Sequence, residues 1–246
     1  MLYDSESKIK CIAFFIGVFV CLNTYSQTSK PIIYLIPGQG ADERLFSKLT
    51  FDKNAYSIKH IKYHTPEKNT TLKSYALQLS KQIDTTEAFI LVGVSLGGMI
   101  ATELIDFLSP EKVIIISSAK SKKELPFRYR IQKVMPIYKL LSSRAIKRGA
   151  FIMQPIVEPD RNVEEEIFKS MLTDKNKHFM KRSVQMIIQW NRTIYSSDII
   201  HIHGDKDNTI PIRNINYDYA VIDGSHMMTL TRPEIISKIL NKALNR

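Results

Sequence analysis

The stretch ILVGVSLGGMIATELI, residues 90–105, places one serine among three glycines where an apolar run gives way to an amphipathic one. The apolar residues that begin at Ala88 are typical of a buried β-strand. After Ser95, apolar residues recur every four positions, which indicates a helix. The stretch therefore predicts a strand, a sharp turn and a helix, with Ser95 on the turn.

Steric crowding at the turn explains the glycines around Ser95. A serine on a strand-to-helix turn must adopt a strained backbone conformation, and side chains on its neighbours would collide with the adjacent strand and helix. Gly93 and Gly97 relieve that crowding from two residues before and two residues after Ser95. The turn also directs the backbone amide of Leu96 towards a pocket at the positive end of the helix, where developing negative charge is stabilised.

The chain on either side alternates short β-rich runs with helical runs, which is the pattern of a parallel sheet covered by helices. The other predicted strands are residues 32–36, 57–63, 113–117, 198–204 and 217–224. The second of these alternates in polarity before Pro66, which favours a place near the edge of the sheet. Helices are predicted over residues 70–83 and 233–244, and the buried stripe expected for the last helix is Ile235, Ile236, Ile239 and Leu240.

The beginning of the chain resembles an export signal. Lys8 and Lys10 precede an apolar block, CIAFFIGVFVCL, and small residues follow it before a cleavage site at Gln27. The block has 12 residues, which is short for a bilayer span of about 20. We predict a signal peptide over residues 1–26 and an exported protein, periplasmic or extracellular. An uncleaved N-terminal membrane anchor is the alternative.

The cysteines limit the chemistry of the exported chain. The sequence has two cysteines, Cys11 and Cys21, and both lie in the apolar block that the cleavage would remove. A cleaved product would contain no thiol. Disulfides, cysteine-ligated metals and cysteine nucleophiles are therefore not expected.

Charge is concentrated in one segment of the chain. The net charge is +11, and the stretch from Lys120 to Arg192 has 17 basic and 7 acidic residues, a difference of +10. The strand and helix alternation stops in the same region, and prolines interrupt helical spacings there. With 246 residues and 44% hydrophobic residues, one domain is expected. We divide it into core residues 27–119 and 197–246 and a mostly helical, basic lid insertion, residues 120–196.

The motif Gly93-Val94-Ser95-Leu96-Gly97, set between a strand and a helix, resembles the nucleophile elbow of the α/β-hydrolase family. The resemblance extends from about Pro31 to the end of the chain. It implies an α/β fold with a mostly parallel, doubly wound sheet and a helical lid insertion. It also implies a serine hydrolase, in which a histidine activates the serine and a carboxylate orients the histidine.

The resemblance also gives the chain order of the partners, which is serine, then acid, then histidine. Gly204 ends a predicted strand and Asp207 follows three residues later, as the catalytic acid does in the family, with Asp205 as the competing choice. The segment VIDGSHMMTLTRP resembles the family's Gly-x-His before the last helix, which points to His226. The predicted triad is Ser95, Asp207 and His226.

The second donor of the predicted oxyanion hole comes from the loop after the first strand. Pro37-Gly38-Gln39-Gly40 resembles the family's His-Gly segment, with a proline in place of the histidine. The backbone amides of Gln39 and Leu96 are the predicted donors. The resemblance implies attack of Ser95 on an acyl carbon, an acyl-enzyme intermediate, release by water, and no cofactor or metal. The predicted activity is that of a carboxylesterase-like enzyme.

Two other classes of function compete with this interpretation. A metal-dependent hydrolase is suggested by His201-Ile202-His203-Gly204-Asp205, which resembles the His-x-His-x-Asp signature of metallo-β-lactamase-type enzymes, although Lys206 follows where that family has a further histidine. A non-catalytic binding protein on the same fold is the other alternative. Packing or surface roles are expected for the remaining histidines, which are His60, His64, His178, His201 and His203.

Three interpretations of the basic insertion stay open. It is a solvated face that keeps an exported protein soluble, a surface attracted to anionic membrane head groups, or a site for an acidic group on the substrate. Nucleic acid is not an expected partner, because no recognised binding module accompanies the basic residues. The expected substrate is a small-molecule acyl ester.

Overall fold

The computed structural model describes residues 29–158 and 160–246, and for residues 156, 157 and 161 it describes the backbone alone. Six parallel strands form one sheet in the order β2-β1-β3-β4-β5-β6. The strands are β1 (Ile32–Ile36), β2 (Ser57–His60), β3 (Phe89–Val94), β4 (Lys112–Ile116), β5 (Ile199–Gly204) and β6 (Tyr219–Val221). The predicted edge position of β2 is confirmed.

Nine α-helices lie in the described part of the chain. They are α1 (Leu72–Leu79), α2 (Leu96–Leu104), α3 (Phe127–Arg130), α4 (Ile137–Leu140), α5 (Ser143–Val157), α6 (Glu165–Asp174), α7 (Lys177–Gln189), α8 (Met228–Thr231) and α9 (Pro233–Leu244). None of these helices combines the length and the apolar character that crossing a bilayer requires. The predicted signal peptide, with both cysteines, lies outside the described residues.

The strands β1 and β3 are buried on both faces, and their side chains alternate between two apolar layers. One layer contains Tyr34 and Leu91 and packs against α1, α2 and α7. The other contains Leu35 and Val92 and packs against α8 and α9. Helices therefore cover both faces of the sheet, which confirms the predicted α/β class with a parallel, doubly wound sheet.

Both predicted helices are present, but the first ends at Leu79 and not at residue 83. Helix α1 begins after Thr71, whose hydroxyl accepts a hydrogen bond from the amide of Ser74 and so caps the helix. Helix α9 spans the predicted residues, but the placement of Ile235 in its buried stripe is wrong, because this side chain is 45% exposed. The face that packs on the sheet is formed by Ile236, Leu240, Ala243 and Leu244, which are spaced at one and two helical turns.

The basic segment between β4 and β5 is helical and contains α3 to α7. Helix α5 packs along α7, and α3 and α4 also contact α7. Trp190, at the end of α7, is buried, and its indole N–H donates to a carboxylate oxygen of Glu103 in α2 over 2.8 Å. The segment is thus fixed to the sheet domain through α7. We call residues 120–196 the helical insertion below.

Candidate active site

Four loops bring the predicted site residues to one edge of the sheet. Because all six strands are parallel, their carboxyl ends lie at the same edge, and ligands of open α/β sheets bind there. Ser95 directly follows β3, and the loop that contains Gln39 follows β1. The loop with Asp207 follows β5, and His226 comes five residues after the end of β6. Residues that are distant in sequence therefore meet at this edge.

The turn at Ser95 is strained in the way that the sequence predicts. Ser95 has φ 53° and ψ −117°, in the left-handed half of backbone space that residues with side chains rarely adopt. Its amide donates to the carbonyl of Ile116 in β4 over 2.9 Å, which fixes the turn to the sheet. A β-carbon at Gly97 would lie 2.0 Å from the carbonyl oxygen of Ile36. Glycine at 97 is therefore required for the helix to start this close to β1.

Ser95, His226 and Asp207 form a continuous chain of hydrogen bonds. The Oγ of Ser95 lies 2.8 Å from Nε2 of His226, and Nδ1 of His226 lies 2.8 Å from Oδ2 of Asp207. A carboxylate can only accept, so Nδ1 carries the ring proton and Nε2 accepts from the serine hydroxyl. The side chain of Asp207 is fully buried and that of His226 nearly so. The structure thus brings the three predicted residues together in the order that proton transfer needs.

The loop after β5, which we call the acid loop, buries the carboxylate of Asp207 and leaves that of Asp205 exposed. Oδ1 of Asp207 accepts from the amides of Thr209 and Ile210 over 2.8 and 2.7 Å, so its second oxygen is directed to His226. Asp205, the competing choice in the sequence, is exposed. A β-carbon at Gly204 would lie 2.1 Å from the carbonyl oxygen of Gly224, so the acid loop and the histidine loop touch through their backbones. This contact sets the distance between Asp207 and His226.

The surroundings of His226 favour its protonated form. Burial opposes the positive charge of the imidazole, but the carboxylate of Asp207 and, more weakly, that of Glu158 act in the opposite direction. The balance raises the pKa of His226 above its ordinary value. A base with a raised pKa accepts a proton more readily from the serine hydroxyl during attack.

The loop after β1 is held beside Ser95 by its neighbours. The side-chain amide of Gln39 donates to the carbonyl of Met180 over 3.1 Å and to the hydroxyl of Ser183 over 2.8 Å, both in α7. The hydroxyl of Tyr63 donates to the carbonyl of Pro37 over 2.6 Å. Among the backbone hydrogen bonds of residues 29–158 and 160–246, none has the amide of Gln39 or Leu96 as its donor. Both predicted oxyanion donors therefore have no backbone acceptor within the described chain.

A cavity of about 180 Å³ opens between the sheet edge and the helical insertion. Ser95, His226 and residues 38–41 form its floor, and most of its walls are apolar. The insertion contributes Leu125, Tyr129, Ala150, Gln154, Glu158, Phe168, Met171, Leu172, Met180 and Ile187. No lysine or arginine of the described chain lines the cavity. The positive charge of the insertion therefore lies outside the lining of the cavity.

Glu158, which the sequence analysis did not identify, lines this cavity next to His226. It follows the end of α5, is buried, and its Oε2 accepts from the amide of Met227 over 3.0 Å. Burial raises the pKa of Glu158 to about 7, although the positive charge of His226 and the Met227 amide act in the opposite direction. One sequence signal existed, because Glu158 is the first acidic residue after 33 positions without one, residues 125–157.

His201 and His203 form a buried pair behind Asp207. Nε2 of His203 lies 2.8 Å from the carbonyl of Ile210, which can only accept, so this nitrogen carries the proton. The same nitrogen is 3.4 Å from Oδ2 of Asp207, and Nδ1 of His203 is 3.1 Å from Nε2 of His201. Burial lowers the pKa of both histidines. Both histidines are fully buried next to Asp207, which agrees with the packing role that the sequence predicts.

The His-x-His-x-Asp segment does not gather a set of metal ligands in the structure. His201 and His203 contact each other, whereas Asp205 is exposed on the loop beyond them. Across the described ranges, no three histidine, cysteine, aspartate or glutamate side chains are grouped so that they could hold a metal ion.

No protein-family model matches the sequence, and no curated protein matches it either. The structure is similar to several solved structures. A thermophilic esterase from Thermogutta terrifontis aligns with a TM-score of 0.66 and 12% identity, over 88% of this chain and 90% of that one. An enol-lactonase from Burkholderia xenovorans aligns with a TM-score of 0.62 and 13% identity, over 90% and 94%. An epoxide hydrolase from Bacillus megaterium aligns with a TM-score of 0.62 and 11% identity, over 89% and 94%.

These similarities establish the fold. All three neighbours are α/β-hydrolase-fold enzymes, and the chain covers nine-tenths or more of each. The predicted α/β-hydrolase fold is therefore confirmed. The three names cover different reactions, so the fold alone does not select the reaction, which must be argued from the site.

Proposed function

We propose that this chain is an exported serine hydrolase that cleaves carboxylic esters through Ser95, His226 and Asp207. The single observation that carries the proposal is the unbroken relay of two 2.8 Å hydrogen bonds from the Ser95 hydroxyl through His226 to a buried carboxylate. A serine hydroxyl needs such a base to become a nucleophile, and the base needs the carboxylate to keep the right tautomer.

The geometry supports a two-step acyl transfer. Ser95 Oγ attacks the ester carbon while Nε2 of His226 takes its proton, and the amides of Gln39 and Leu96 hold the oxyanion. His226 then returns the proton to the leaving alcohol, and the acyl-enzyme forms. Water, activated by the same imidazole, releases the acid. Each step uses groups that already lie at the carboxyl edge of the sheet.

The cavity favours an ester with an uncharged, apolar acyl group. Its walls are mostly aliphatic, aromatic and thioether side chains, and none of its described lining residues is a lysine or arginine. A carboxylate on the substrate would lie next to Glu158, and no lysine or arginine of the described chain lines the cavity to pair with it. The cavity lining therefore disfavours the acidic-substrate interpretation of the basic insertion. The volume of the cavity, about 180 Å³, suits a short acyl chain.

The test combines a covalent probe with a substrate series. A fluorophosphonate should label the wild type once and should not label Ser95→Ala, with circular dichroism showing that the variant is folded. Esters of p-nitrophenol with rising acyl length should give a kcat/KM optimum at short chains. Labelling that persists in Ser95→Ala would place the nucleophile elsewhere, and that result would overturn the proposal.

The two alternatives predict different results in the same assays. A non-catalytic binding protein would bind esters or acids without turnover and would not react with the probe. A metal-dependent hydrolase would lose its activity on incubation with a chelator and regain it with added metal, independently of Ser95. We expect the activity to be insensitive to chelators.

Export is part of the proposal and rests on the sequence of residues 1–26 alone. Two lysines, an apolar block and small residues before Gln27 are typical of a cleaved leader. N-terminal sequencing of the protein recovered from the host's extracytoplasmic fraction should begin at Gln27. An N-terminus that retains Met1 would favour the membrane-anchored alternative.

A further inference from the structure

The helical insertion carries an exposed apolar surface beside the cavity. Seven large apolar side chains within residues 127–141 are exposed, and Val134 and Leu140 are 82% and 86% exposed. Removing apolar side chains of this size from water lowers the free energy. A group of exposed ones therefore indicates an interaction site. We call this surface the docking face; it comprises Phe127, Ile131, Val134, Met135, Ile137, Leu140 and Leu141.

The docking face is held in place from behind. Tyr138 is buried, and its hydroxyl accepts a hydrogen bond from the side-chain amide of Gln189 in α7 over 3.3 Å. The ammonium of Lys181, also in α7, donates to the carbonyl of Leu141 over 2.6 Å. Arg128 donates to the carbonyl of Asn208 over 3.0 Å and so ties the start of the segment to the acid loop. One side of the segment is therefore anchored, and the apolar side is turned outward.

Exposed basic residues lie within the docking face and on the helix that follows it. Residues 125–157 contain seven basic residues and no acidic residue. Arg130, Lys133 and Lys139 are exposed within the face, and Arg144 and Arg148 are exposed on the adjoining helix α5. In the described part of the chain these five side chains form no salt bridge. Exposed apolar side chains with exposed basic side chains among them match the two layers of an anionic lipid surface, which are acyl chains below phosphate groups.

We propose that the docking face binds an anionic lipid bilayer, with its apolar side chains in the acyl boundary and its basic side chains on the lipid phosphates. Leu125 and Tyr129, at the start of the same segment, line the cavity. Binding in this orientation would place the cavity next to the bilayer. The proposal does not depend on the proposed function, because it concerns lipid binding and leaves Ser95 unused.

The first test measures vesicle binding by flotation in the Ser95→Ala background of the full chain. The probe is vesicles of phosphatidylcholine alone or with equal parts of phosphatidylglycerol. We expect binding to the anionic vesicles, and Val134→Asp with Leu140→Asp should weaken it at least about tenfold. The control pair is Ile194→Asp with Ile222→Asp, since these side chains are 81% and 76% exposed outside the docking face. The control should bind like its parent.

The charge contribution is tested in the same assay. Lys133→Glu with Lys139→Glu should weaken binding at least about tenfold, because basic residues near an anionic surface are attracted to it and acidic residues are repelled. Lys68→Glu with Lys81→Glu makes the same change in net charge at two exposed lysines outside the docking face and should have little effect. High salt should weaken binding of the parent, because screening reduces the attraction.

A second measurement separates the docking face from the N-terminal segment. In a chain with Cys11→Ser and Cys21→Ser, an environment-sensitive dye is attached at Leu140→Cys or at Ile194→Cys. Addition of anionic vesicles should shift the emission of the dye at 140 and make it accessible to a lipid-borne quencher, whereas the dye at 194 should stay in water.

Several results would overturn the proposal. Equal losses in the docking-face and control pairs would do so, as would binding to neutral vesicles that does not change with salt. So would a dye at 140 that is already shielded without lipid, which would place the N-terminal segment on this face. A dimer that Val134→Asp with Leu140→Asp converts to a monomer would assign the face to a second copy of the chain.

Discussion

The carboxyl edge of the sheet and the helical insertion are built on different principles. Strands β1 and β3 are buried on both faces, and the turn that leaves β3 lies so close to β1 that a β-carbon at Gly97 would clash with the carbonyl of Ile36. The insertion buries side chains such as Tyr138, Phe168 and Phe179 and leaves apolar residues such as Val134 and Leu140 in contact with solvent. The edge therefore admits almost no adjustment, whereas the insertion has a surface with unused contacts.

The difference divides the work between the two regions. The edge positions the relay of Ser95, His226 and Asp207, which needs accuracy of a few tenths of an ångström. The insertion lines one side of the cavity and supplies nearly all of the net positive charge, +10 of +11. We infer that the edge determines the reaction and that the insertion determines what reaches it.

The largest effect is expected from a change at the edge that keeps its shape. Asp207→Asn should lower kcat about ten-thousand-fold, because an amide that donates to His226 would favour the wrong tautomer. Asp205→Asn is the matched control on the same loop, and its exposed side chain predicts a change within about twofold. Steady-state kinetics with a p-nitrophenyl ester would measure both. Equal losses in the two variants would refute the assignment of the acid.

One glycine in each region gives the second comparison. Gly97→Ala would place a methyl group 2.0 Å from the carbonyl oxygen of Ile36, whereas an alanine at Gly149 in α5 would meet nothing within 4 Å. We expect Gly97→Ala to lower the free energy of unfolding by more than about 3 kcal/mol. Gly149→Ala should raise it by about 1 kcal/mol through helix propensity.

Equilibrium unfolding in urea would measure both free energies. A Gly97→Ala protein as stable as the parent would mean that the turn at Ser95 is looser than the structure shows.

Glu158 is expected to make the stability of the folded chain depend on pH. Burial raises its pKa from 4.5 to about 7, so the folded chain holds the proton more tightly than the unfolded chain. Stability associated with this group is present below pH 4.5 and is lost as the pH rises through about 7. At pH 8, Glu158→Gln should therefore be more stable than the parent, by up to about 3 kcal/mol.

The groups that face Glu158 are His226 and Asp207, so the comparison is made in the Ser95→Ala protein, without substrate. Glu166→Gln, at an exposed position of α6, is the control, and its effect on stability should stay within about 0.5 kcal/mol. Thermal unfolding at pH 4.5, 6 and 8 would follow the difference, which should vanish at the lowest pH. A constant difference at every pH would show that ionisation of Glu158 has no part in it.

Gln39 links the two regions, and its effect is expected to be the smallest of those on activity. Its side chain joins the loop after β1 to Met180 and Ser183 in α7. Gln39→Ala should lower kcat about tenfold with little change in KM, because a looser loop aims its amide less well at the oxyanion. Gln185→Ala removes a different link between α7 and the core, to Asn69, and should leave kcat unchanged. A rise in KM alone would indicate a binding role.

The sequence predicted the edge well because its signals are local. A long apolar run, a serine between glycines, and acid and histidine loops in a fixed order each indicate where a loop leaves a strand. The parallel sheet then requires these loops to meet at one edge. The strand boundaries were less predictable: β2 ends at His60, although the alternation continues to Tyr63. Tyr63 lies beyond the strand, and its hydroxyl bonds the loop at Pro37.

The contributions of the insertion to the site could not be predicted in the same way. Glu158 lies in a basic, proline-interrupted segment without a repeating pattern, and only the packing of α5 brings it to His226. The hydrogen bonds from Gln39 to α7 join residues that are separated by 141 and 144 positions in the chain. Such contacts depend on how two regions pack, and neither region's own periodicity contains that information.

The central claim is that His226 activates Ser95. The most direct measurement is the rate of fluorophosphonate inactivation as a function of pH, in the wild type and in His226→Ala, with the modified residue identified by peptide mass. The wild-type rate should rise with a midpoint above pH 6.5, because the imidazole, whose pKa is raised, must lose its proton first. His226→Ala should react more than about a thousandfold more slowly, without that midpoint. A His226→Ala protein that is modified at Ser95 as fast as the wild type would contradict the account.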